Sequence, residues 1–257
     1  MDLRVENLKS DQPERSSQPF QGIERFRFHG TLGVEADIRT KYGFHGDLLE
    51  LFSNNRGKLI HKWHHYIPLY DKYFSRFRGQ PIRFLEIGVS EGGSLEMWRK
   101  YFGSAAVIYG IDIDPNCKKL EGDSFQVRIG SQDEPSFLSS VIHEMGGVDV
   151  VLDDGSHKMA HIISSLKFLY PKLSEGGLYF IEDLHAAYWP AFGGGYGSRS
   201  NFFNFLRELI DDMHQWYHDQ GLTHPDIANC CPGIHIHDSL CILEKNRVYE
   251  PAHSQIF

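Results

Sequence analysis

The sequence predicts an α/β fold in which a mostly parallel sheet is covered by helices on both faces. Five short apolar runs, each ending in an acid or a glycine, occupy 82–87, 107–111, 125–129, 148–152 and 178–181. Segments with helical spacing of apolar residues lie between most of them, at about 94–101, 135–145 and 160–173. This alternation is typical of a doubly wound, Rossmann-like sheet.

The flanking segments complete the predicted architecture. Mixed three-and-four spacing over 47–74 predicts helices before the first strand, and 201–218 reads as a further helix. Apolar residues return at strand spacing over 233–245, with a possible bend at Asp238 and Ser239. We therefore expect seven strands, the last two forming a C-terminal antiparallel hairpin. Gly176 and Gly177 are expected to turn the chain into the fifth strand, and the glycine- and aromatic-rich 188–197 to form a lid.

Composition limits the organisation and the partners of the protein. The chain has 257 residues, 41% of them apolar, which suits one globular domain over 46–257 preceded by a polar N-terminal arm or cap over 1–45. The net charge of −8 gives no attraction to nucleic acid or to an anionic membrane. The four cysteines form no metal or disulfide pattern, and we find neither a signal peptide nor a spanning segment. We expect a cytoplasmic protein and a homo-oligomer.

A glycine turn follows the first predicted strand and indicates a nucleotide-like ligand. It reads Glu86-Ile-Gly88-Val-Ser90-Glu-Gly-Gly-Ser94, and the second strand ends at Asp112. Ser90 replaces the middle glycine that lets backbone approach a pyrophosphate, and Glu86 adds a negative charge, so NAD is disfavoured. S-adenosylmethionine has no phosphate and carries two cationic groups, so an acid beside the turn favours it.

Further polar residues are placed to complete this cofactor site. Asp112 offers two acceptor oxygens for the ribose hydroxyls. Gln132 and Asp133 follow the third strand and are expected to address the adenine, while Asp153 is a candidate to face the cofactor.

Acids also end the fourth and fifth predicted strands, in Asp153-Asp154-Gly-Ser-His157 and Glu182-Asp183-Leu-His185. Neighbouring parallel strands lie about 4.8 Å apart, so these carboxylates converge and would repel one another without a cation between them. Oxygen donors from Asp154, Glu182 and Asp183 favour a hard ion, Mg²⁺. Such a metal would hold a diol in line with the methyl donor, Asp154 acting as ligand and His157 as the base that removes the hydroxyl proton.

The motifs together resemble a known family. RFLEIGVSEGGSLEMWRKYF, DVVLDDGSH and GGLYFIEDLHAAYWPAFGG, with IHDSLCILEK near the end, are similar to the metal-dependent sugar O-methyltransferases of macrolide biosynthesis, the mycinamicin type. Related enzymes are labelled cephalosporin hydroxylase or rhamnosyl O-methyltransferase. The resemblance covers about residues 62–245.

The resemblance implies a class I methyltransferase fold that uses S-adenosylmethionine and Mg²⁺ to methylate a sugar hydroxyl of a glycosylated natural product or polysaccharide. It implies Mg²⁺ ligands at Asp154, Glu182 and Asp183 and a base at His157. It also implies that the segment 62–66, including Tyr66, touches the cofactor and that 188–196 covers the substrate. The chain is expected to be of a shorter kind, without a separate N-terminal domain.

Two other functions stay open at this point. His157, His185 and one carboxylate could form the iron site of a non-haem oxygenase, which would leave the glycine turn and Asp112 unused. A catalytically silent binding module that keeps only the fold is the other alternative.

Overall fold

A computed structural model describes residues 33–257, which form a seven-stranded sheet covered by helices. The strands are β1 (Arg83–Ile87), β2 (Val107–Asp112), β3 (Gln126–Ile129), β4 (Val148–Asp153), β5 (Leu173–Ile181), β6 (Gly233–His237) and β7 (Leu240–Glu244). The α-helices are α1 (Val34–Tyr42), α2 (Asp47–Ser53), α3 (Tyr66–Phe74), α4 (Gly93–Phe102), α5 (Pro135–Met145), α6 (Met159–Leu169), α7 (Phe202–Met213) and α8 (Pro225–Ala228).

The strand order is β3-β2-β1-β4-β5-β7-β6. The first five strands pair in parallel, and β7 pairs antiparallel with both β5 and β6. From β1, the chain adds β2 and β3 on one side of the sheet and β4 and β5 on the other, so the strand order reverses at β1. Ligands are therefore expected at the carboxyl ends of the strands around β1. The predicted fold class is confirmed.

Several boundaries differ from the sequence-based expectation. The strand expected at 178–181 begins at Leu173, so Gly176 and Gly177 lie within β5 rather than before it. The register of the pairing between β4 and β5 shifts in this stretch, because Val148 pairs with Leu173 and Val150 pairs with Leu178. The helix expected over 201–218 is shorter, since α7 ends at Met213 and a 3₁₀ turn, Gln215–Tyr217, follows.

The sheet separates two apolar cores. One lies between the sheet and α1 to α4 and is rich in aromatic rings, among them Phe74, Phe84, Trp98 and Phe180. The other lies beneath α5, α6 and α7 on the opposite face. Alternate residues of each strand point to opposite faces, so Phe84 and Glu86 share the aromatic side while Leu85 and Ile87 face the other.

The described residues include only the end of the N-terminal arm or cap expected over 1–45. Residues 1–32, most of the expected arm, lie outside the described residues. Within the remainder, α1 is a regular helix whose Val34 and Ile38 are buried in the aromatic core. Across residues 33–257, none of the helices has the length and apolar character needed to cross a bilayer.

Replacing Phe180 by Ala is expected to destabilise the fold by about 3–5 kcal/mol, because its fully buried ring packs 4.4 Å from the Phe74 ring and leaves a cavity. Denaturant unfolding measures the effect. Phe257→Ala, at a fully exposed position, is the matched control and should change stability by less than about 0.5 kcal/mol. Equal effects of the two substitutions would contradict this assignment of the core.

Candidate active site

The glycine turn joins β1 to α4 at the carboxyl edge of the sheet. Gly88 has φ +95°, and a Cβ atom there would lie 2.1 Å from the Asp154 carbonyl oxygen. Gly93 opens α4, where a Cβ would lie 2.2 Å from the carbonyl oxygen of Leu59. Glycine is required at both positions because neighbouring backbone passes too close for a side chain.

Asp112 fixes the turn through backbone hydrogen bonds. Its Oδ2 accepts the N–H groups of Val89 (2.8 Å) and Ser90 (3.0 Å), and its Oδ1 accepts that of Asp114 (2.9 Å). Burial raises the pKa of Asp112, but these hydrogen bonds outweigh it, so the pKa is lowered overall. Asp112 is therefore an anion at the end of β2.

A cleft of about 270 Å³ opens beside this turn. Of the residues predicted to bind a cofactor, three line it: Gly88, Asp112 and Gln132. The loop after β4 contributes Gly155 and Ser156 on the far side. The cleft thus extends from the glycine turn to the loop that carries Asp154 and His157.

Gln132 links the cleft to the buried end of β4. Its Nε2 donates to Asp153 Oδ1 (3.0 Å), and its Oε1 accepts the Ser156 N–H (2.8 Å). Asp153 is buried and also accepts from Ser165 Oγ (2.7 Å), so the structure places it as a support for Gln132 rather than along the cleft.

The other predicted cofactor residues lie around the cleft rather than along its lining. Asp133 is near His161, with 3.5 Å between Oδ2 and Nε2. Ser94 is buried in the first turn of α4, and Ser90 contributes its backbone N–H to Asp112. Glu86 and Tyr66 lie among the acids described next.

Three side chains from the ends of β4 and β5 form an outer cluster: Asp154, His157 and Asp183. One ligand atom from each lies within 4.8 Å of the other two. His157 Nε2 is 3.9 Å from Asp154 Oδ1 and 3.7 Å from Asp183 Oδ2. Both His157 (φ 56°) and Asp183 (φ 55°) adopt the left-handed backbone region, which is uncommon for residues other than glycine and clusters at functional sites.

Behind the outer cluster lies an inner cluster centred on Lys62, whose side chain is 3% exposed. Its Nζ is 2.5 Å from Asp154 Oδ2, 2.8 Å from Glu182 Oε2 and 4.0 Å from Glu86 Oε1. The other Glu182 oxygen accepts a hydrogen bond from the Tyr70 hydroxyl. Glu182, expected beside Asp154 and Asp183 as a metal ligand, therefore has both oxygens engaged by protein donors.

The inner cluster has perturbed protonation equilibria. Burial lowers the pKa of Lys62, but attraction to Asp154, Glu182 and Glu86 outweighs it and raises the pKa above its ordinary value. Burial and then the Asp154 charge raise the pKa of Glu182, and burial raises the pKa of Glu86 to about 7 against the opposing effect of Lys62. The Lys62 ammonium therefore stays charged in the protein interior.

Asp183 is held by the same chain segment that carries Lys62. Its Oδ1 accepts hydrogen bonds from Trp63 Nε1 (3.1 Å) and the Tyr66 hydroxyl (3.0 Å). Tyr66, predicted to touch a cofactor, supports an acid of the outer cluster. The segment 62–66 thus positions both carboxylates of the outer cluster.

Aromatic rings from the predicted lid adjoin the outer cluster. The His185 ring is 4.8 Å from the Trp189 ring, and the Phe192 ring is 6.3 Å from that of His157. Two 3₁₀ turns, Leu184–Tyr188 and Pro190–Phe192, carry His185 and Phe192, and Trp189 lies between them. Asn201 secures the lid by donating to the carbonyl oxygens of Ala187 (2.8 Å) and Gly195 (3.1 Å).

The donor set suits a hard divalent cation. Carboxylate oxygens dominate it, and ligand atoms within 4.8 Å of one another can all reach one ion. The ammonium of Lys62 between Asp154 and Glu182 shows independently that this cluster accommodates positive charge. His185 is not part of this cluster, so the pair of histidines expected for a non-haem oxygenase is not formed among the described residues. The His185 Nδ1 atom is hydrogen-bonded to Ser239 Oγ (2.6 Å).

Lys62 is the site residue that sequence reasoning missed. It lies in the segment 62–66 that the resemblance associates with the cofactor. No sequence motif distinguishes this buried lysine from lysines on the surface. The available signal was electrostatic, since several buried strand-end acids require a counter-ion.

The strand order and the antiparallel seventh strand define a class I methyltransferase fold. A solved structure of MycE methyltransferase from the mycinamycin biosynthetic pathway, in complex with Mg, SAH and mycinamycin VI, matches with a TM-score of 0.70 and 33% identity. The match covers 79% of this chain and 54% of that one. No protein-family model matches the chain.

Curated sequences of sugar O-methyltransferases are similar to this chain. The 8-demethyl-8-(2-methoxy-alpha-L-rhamnosyl)-tetracenomycin-C 3'-O-methyltransferase of Streptomyces olivaceus is 35% identical over 90% of this chain and 61% of its own length. Mycinamicin VI 2''-O-methyltransferase of Micromonospora griseorubida is 35% identical over 78% of this chain and 53% of its own. Over most of its length this chain is similar to these sugar O-methyltransferases. It spans about half to three fifths of the length of these relatives.

Glu86→Gln is expected to make the free energy of unfolding less dependent on pH. A buried acid whose pKa rises from 4.5 to about 7 keeps its proton in the folded state, so it stabilises the fold below pH 4.5 and this contribution is lost as the pH rises through about 7. The loss amounts to roughly 3 kcal/mol for a shift of this size. Urea unfolding between about pH 4.5 and 7.5 should show a shallower decline in Glu86→Gln than in the wild type.

The exposed Glu250→Gln provides the matched control and should follow the wild-type curve. Parallel stability curves for Glu86→Gln and the wild type would contradict the burial of an ionisable Glu86.

Proposed function

We propose that the protein transfers a methyl group from S-adenosylmethionine to a sugar hydroxyl of a glycosylated natural product or polysaccharide, in a reaction that requires Mg²⁺. The observation that carries this proposal is the convergence of Asp154, His157 and Asp183 beside the cleft formed by the glycine turn. A methyl donor and a hydroxyl activated at the acids would then meet at one rim of the sheet.

The cleft supports binding of the methyl donor. Asp112 Oδ2 accepts two backbone N–H groups and Oδ1 accepts one, so Oδ1 keeps an acceptor site for a ribose hydroxyl while the carboxylate still holds the glycine turn. The predicted contacts of Gly88 and Gln132 agree with their positions along the cleft. The nearby carboxylates favour a cationic sulfonium over an anionic dinucleotide.

Asp154, Glu182 and Asp183 would hold the metal. Mg²⁺ bound there supplies a Lewis acid that lowers the pKa of a sugar hydroxyl and orients a vicinal diol. Asp154 and Asp183 each have one oxygen fixed by the 62–66 segment and the other beside His157. The two carboxylates are therefore oriented before a substrate arrives.

His157 acts as the general base in this proposal. Its Nε2 removes the proton of the acceptor hydroxyl, and the oxygen forms a bond to the methyl carbon as the carbon–sulfur bond breaks. The products are the methyl ether and S-adenosylhomocysteine, and the proton leaves from His157 to solvent. Asp183, 3.7 Å away, stabilises the imidazolium formed in this step.

The aromatic residues favour a sugar as acceptor. Trp189 and Phe192, with ring centroids 5.7 Å apart, border the outer cluster and offer apolar faces on which the C–H face of a pyranose can stack. The same side chains limit access of water to the reacting oxygen. The relatives named above act on sugars attached to tetracenomycin and mycinamicin, which agrees with this acceptor class.

A cytoplasmic location and a homo-oligomer remain part of the proposal. All four cysteines are free thiols, which fits a reducing compartment. Neither alternative function, the iron oxygenase or the silent binding module, is supported by the relatives.

The test is to incubate the protein with methyl-labelled S-adenosylmethionine, Mg²⁺ and a panel of rhamnosides and macrolide glycosides, and to locate the label by mass spectrometry. A labelled methyl ether on a sugar is expected, and chelation of Mg²⁺ should abolish it. Undiminished turnover after chelation would exclude the proposed chemistry.

Asp154→Asn should reduce turnover roughly 100-fold or more while leaving the affinity for S-adenosylhomocysteine nearly unchanged, because Asp154 lies outside the cofactor cleft.

His157→Gln should lower kcat by about 10²–10⁴-fold while Mg²⁺ affinity, measured by calorimetry, stays within a few-fold of wild type. The exposed His143→Gln serves as the matched control and should behave as wild type. Loss of Mg²⁺ binding in His157→Gln would show that His157 is a metal ligand and not the base.

A further inference from the structure

Lys62 occupies the space between two of the three proposed metal ligands. Its ammonium is bonded to Asp154 Oδ2 and Glu182 Oε2, and it is almost fully buried. The other Glu182 oxygen accepts a hydrogen bond from the Tyr70 hydroxyl. A metal bound between Asp154 and Glu182 would therefore lie beside the ammonium, and the two cations would repel each other.

Glu86 provides a second position for this ammonium. Its carboxyl group is fully buried, and neither oxygen makes a hydrogen bond of good geometry within the described residues, although the nearby Ser94 and Trp98 side chains oppose the rise that burial causes in its pKa. Its Oε1 is only 4.0 Å from Lys62 Nζ. The ionised form of such a group is costly without a strong donor, so Glu86 gains most from a closer approach of the ammonium.

The proposed movement needs only the side chain. Lys62 lies in a non-helical stretch before α3, and the carbonyl of Leu59, three residues earlier, packs tightly against Gly93 and fixes the path of the chain. A shift of about 1 Å, within the reach of the flexible lysine side chain, brings Nζ into hydrogen-bond distance of Glu86.

We propose that Lys62 is an exchangeable internal cation that occupies the inner half of the metal site and moves from Asp154 and Glu182 to Glu86 when the metal binds. This inference rests on the proposed function and adds a positioning residue to it. Before the metal binds, Lys62 compensates the charges of Asp154 and Glu182 and holds them in place. Afterwards the divalent ion takes over that role, and Glu86 retains the ammonium in the protein interior.

The proposed exchange predicts that a substitution of Lys62 strengthens Mg²⁺ binding, whereas a substitution that only damaged the fold would weaken it. Lys62→Met removes the competing cation, so Mg²⁺ should bind at least about tenfold more tightly, since a unit charge at this distance has a strong influence on a partly buried ion. The metal-free variant should melt at a lower temperature than wild type, and Mg²⁺ should raise its Tm by a larger increment. Calorimetric titration with Mg²⁺ alone and thermal melts measure these effects, with the exposed Lys119→Met as the matched control.

Glu86→Gln tests the other half of the exchange and is close to isosteric. Without an anionic acceptor for Lys62, Mg²⁺ should bind about tenfold more weakly than in the wild type. In a Lys62→Met background the same substitution should have little effect, because no ammonium has to be moved. An equal loss in both backgrounds would indicate simple charge attraction and overturn the exchange.

The outcomes separate this inference from the proposed function. If the wild type binds no Mg²⁺ at millimolar concentrations, the proposed Mg²⁺-dependent function is wrong, and the proposed exchange is wrong as well. If the wild type binds Mg²⁺ and Lys62→Met binds it equally or more weakly, the exchange alone is wrong. Should Lys62→Met fail to fold, Glu86→Gln decides, and wild-type Mg²⁺ affinity in that variant overturns the exchange.

Discussion

Electrostatic repulsion among buried carboxylates is the constraint on which this site depends. The parallel sheet places the ends of β1, β4 and β5 side by side, and each end carries an acid: Glu86, Asp154 or Glu182. Water cannot screen these charges in the interior, so they require a cation there. Lys62 supplies it from outside the sheet. The acids and the lysine must therefore be considered as one unit.

The segment 62–66 organises this unit because it crosses the carboxyl edge of the sheet. Lys62 reaches the inner cluster, whereas Trp63 and Tyr66 bind Asp183 in the outer cluster. One turn later in α3, Tyr70 holds Glu182. The helices that precede the first strand therefore do more than cover the aromatic core, since they set the positions of the acids that the later strands supply.

The sequence predicts the sheet well because its signals are local. Alternating apolar runs and helical spacing predicted five parallel strands and the final hairpin, and α5 agrees with its expected bounds, Pro135–Met145. The start of β5 was missed because two glycines resemble a turn and the pairing irregularity beside Val148 leaves no local pattern. Strand ends also predicted that Asp154, Glu182 and Asp183 would converge beside His157. The structure groups Asp154, His157 and Asp183, whereas Glu182 lies in the inner cluster with Lys62. The partners of Lys62 could not be predicted, since its contacts are 92 and 120 positions away in the chain.

The acids differ in how ready they are to bind a metal. Asp154 and Asp183 each direct one oxygen toward His157 while protein donors hold the other, so their orientation is settled in advance. Both Glu182 oxygens already accept a hydrogen bond, one of them from Lys62, so Glu182 attracts a second cation more strongly once Lys62 withdraws. A divalent ion would therefore meet two prepared ligands first, and its charge would then repel the ammonium toward Glu86. Because each stage leaves the buried carboxylates with a cation, the site can exchange one for the other without exposing an uncompensated charge.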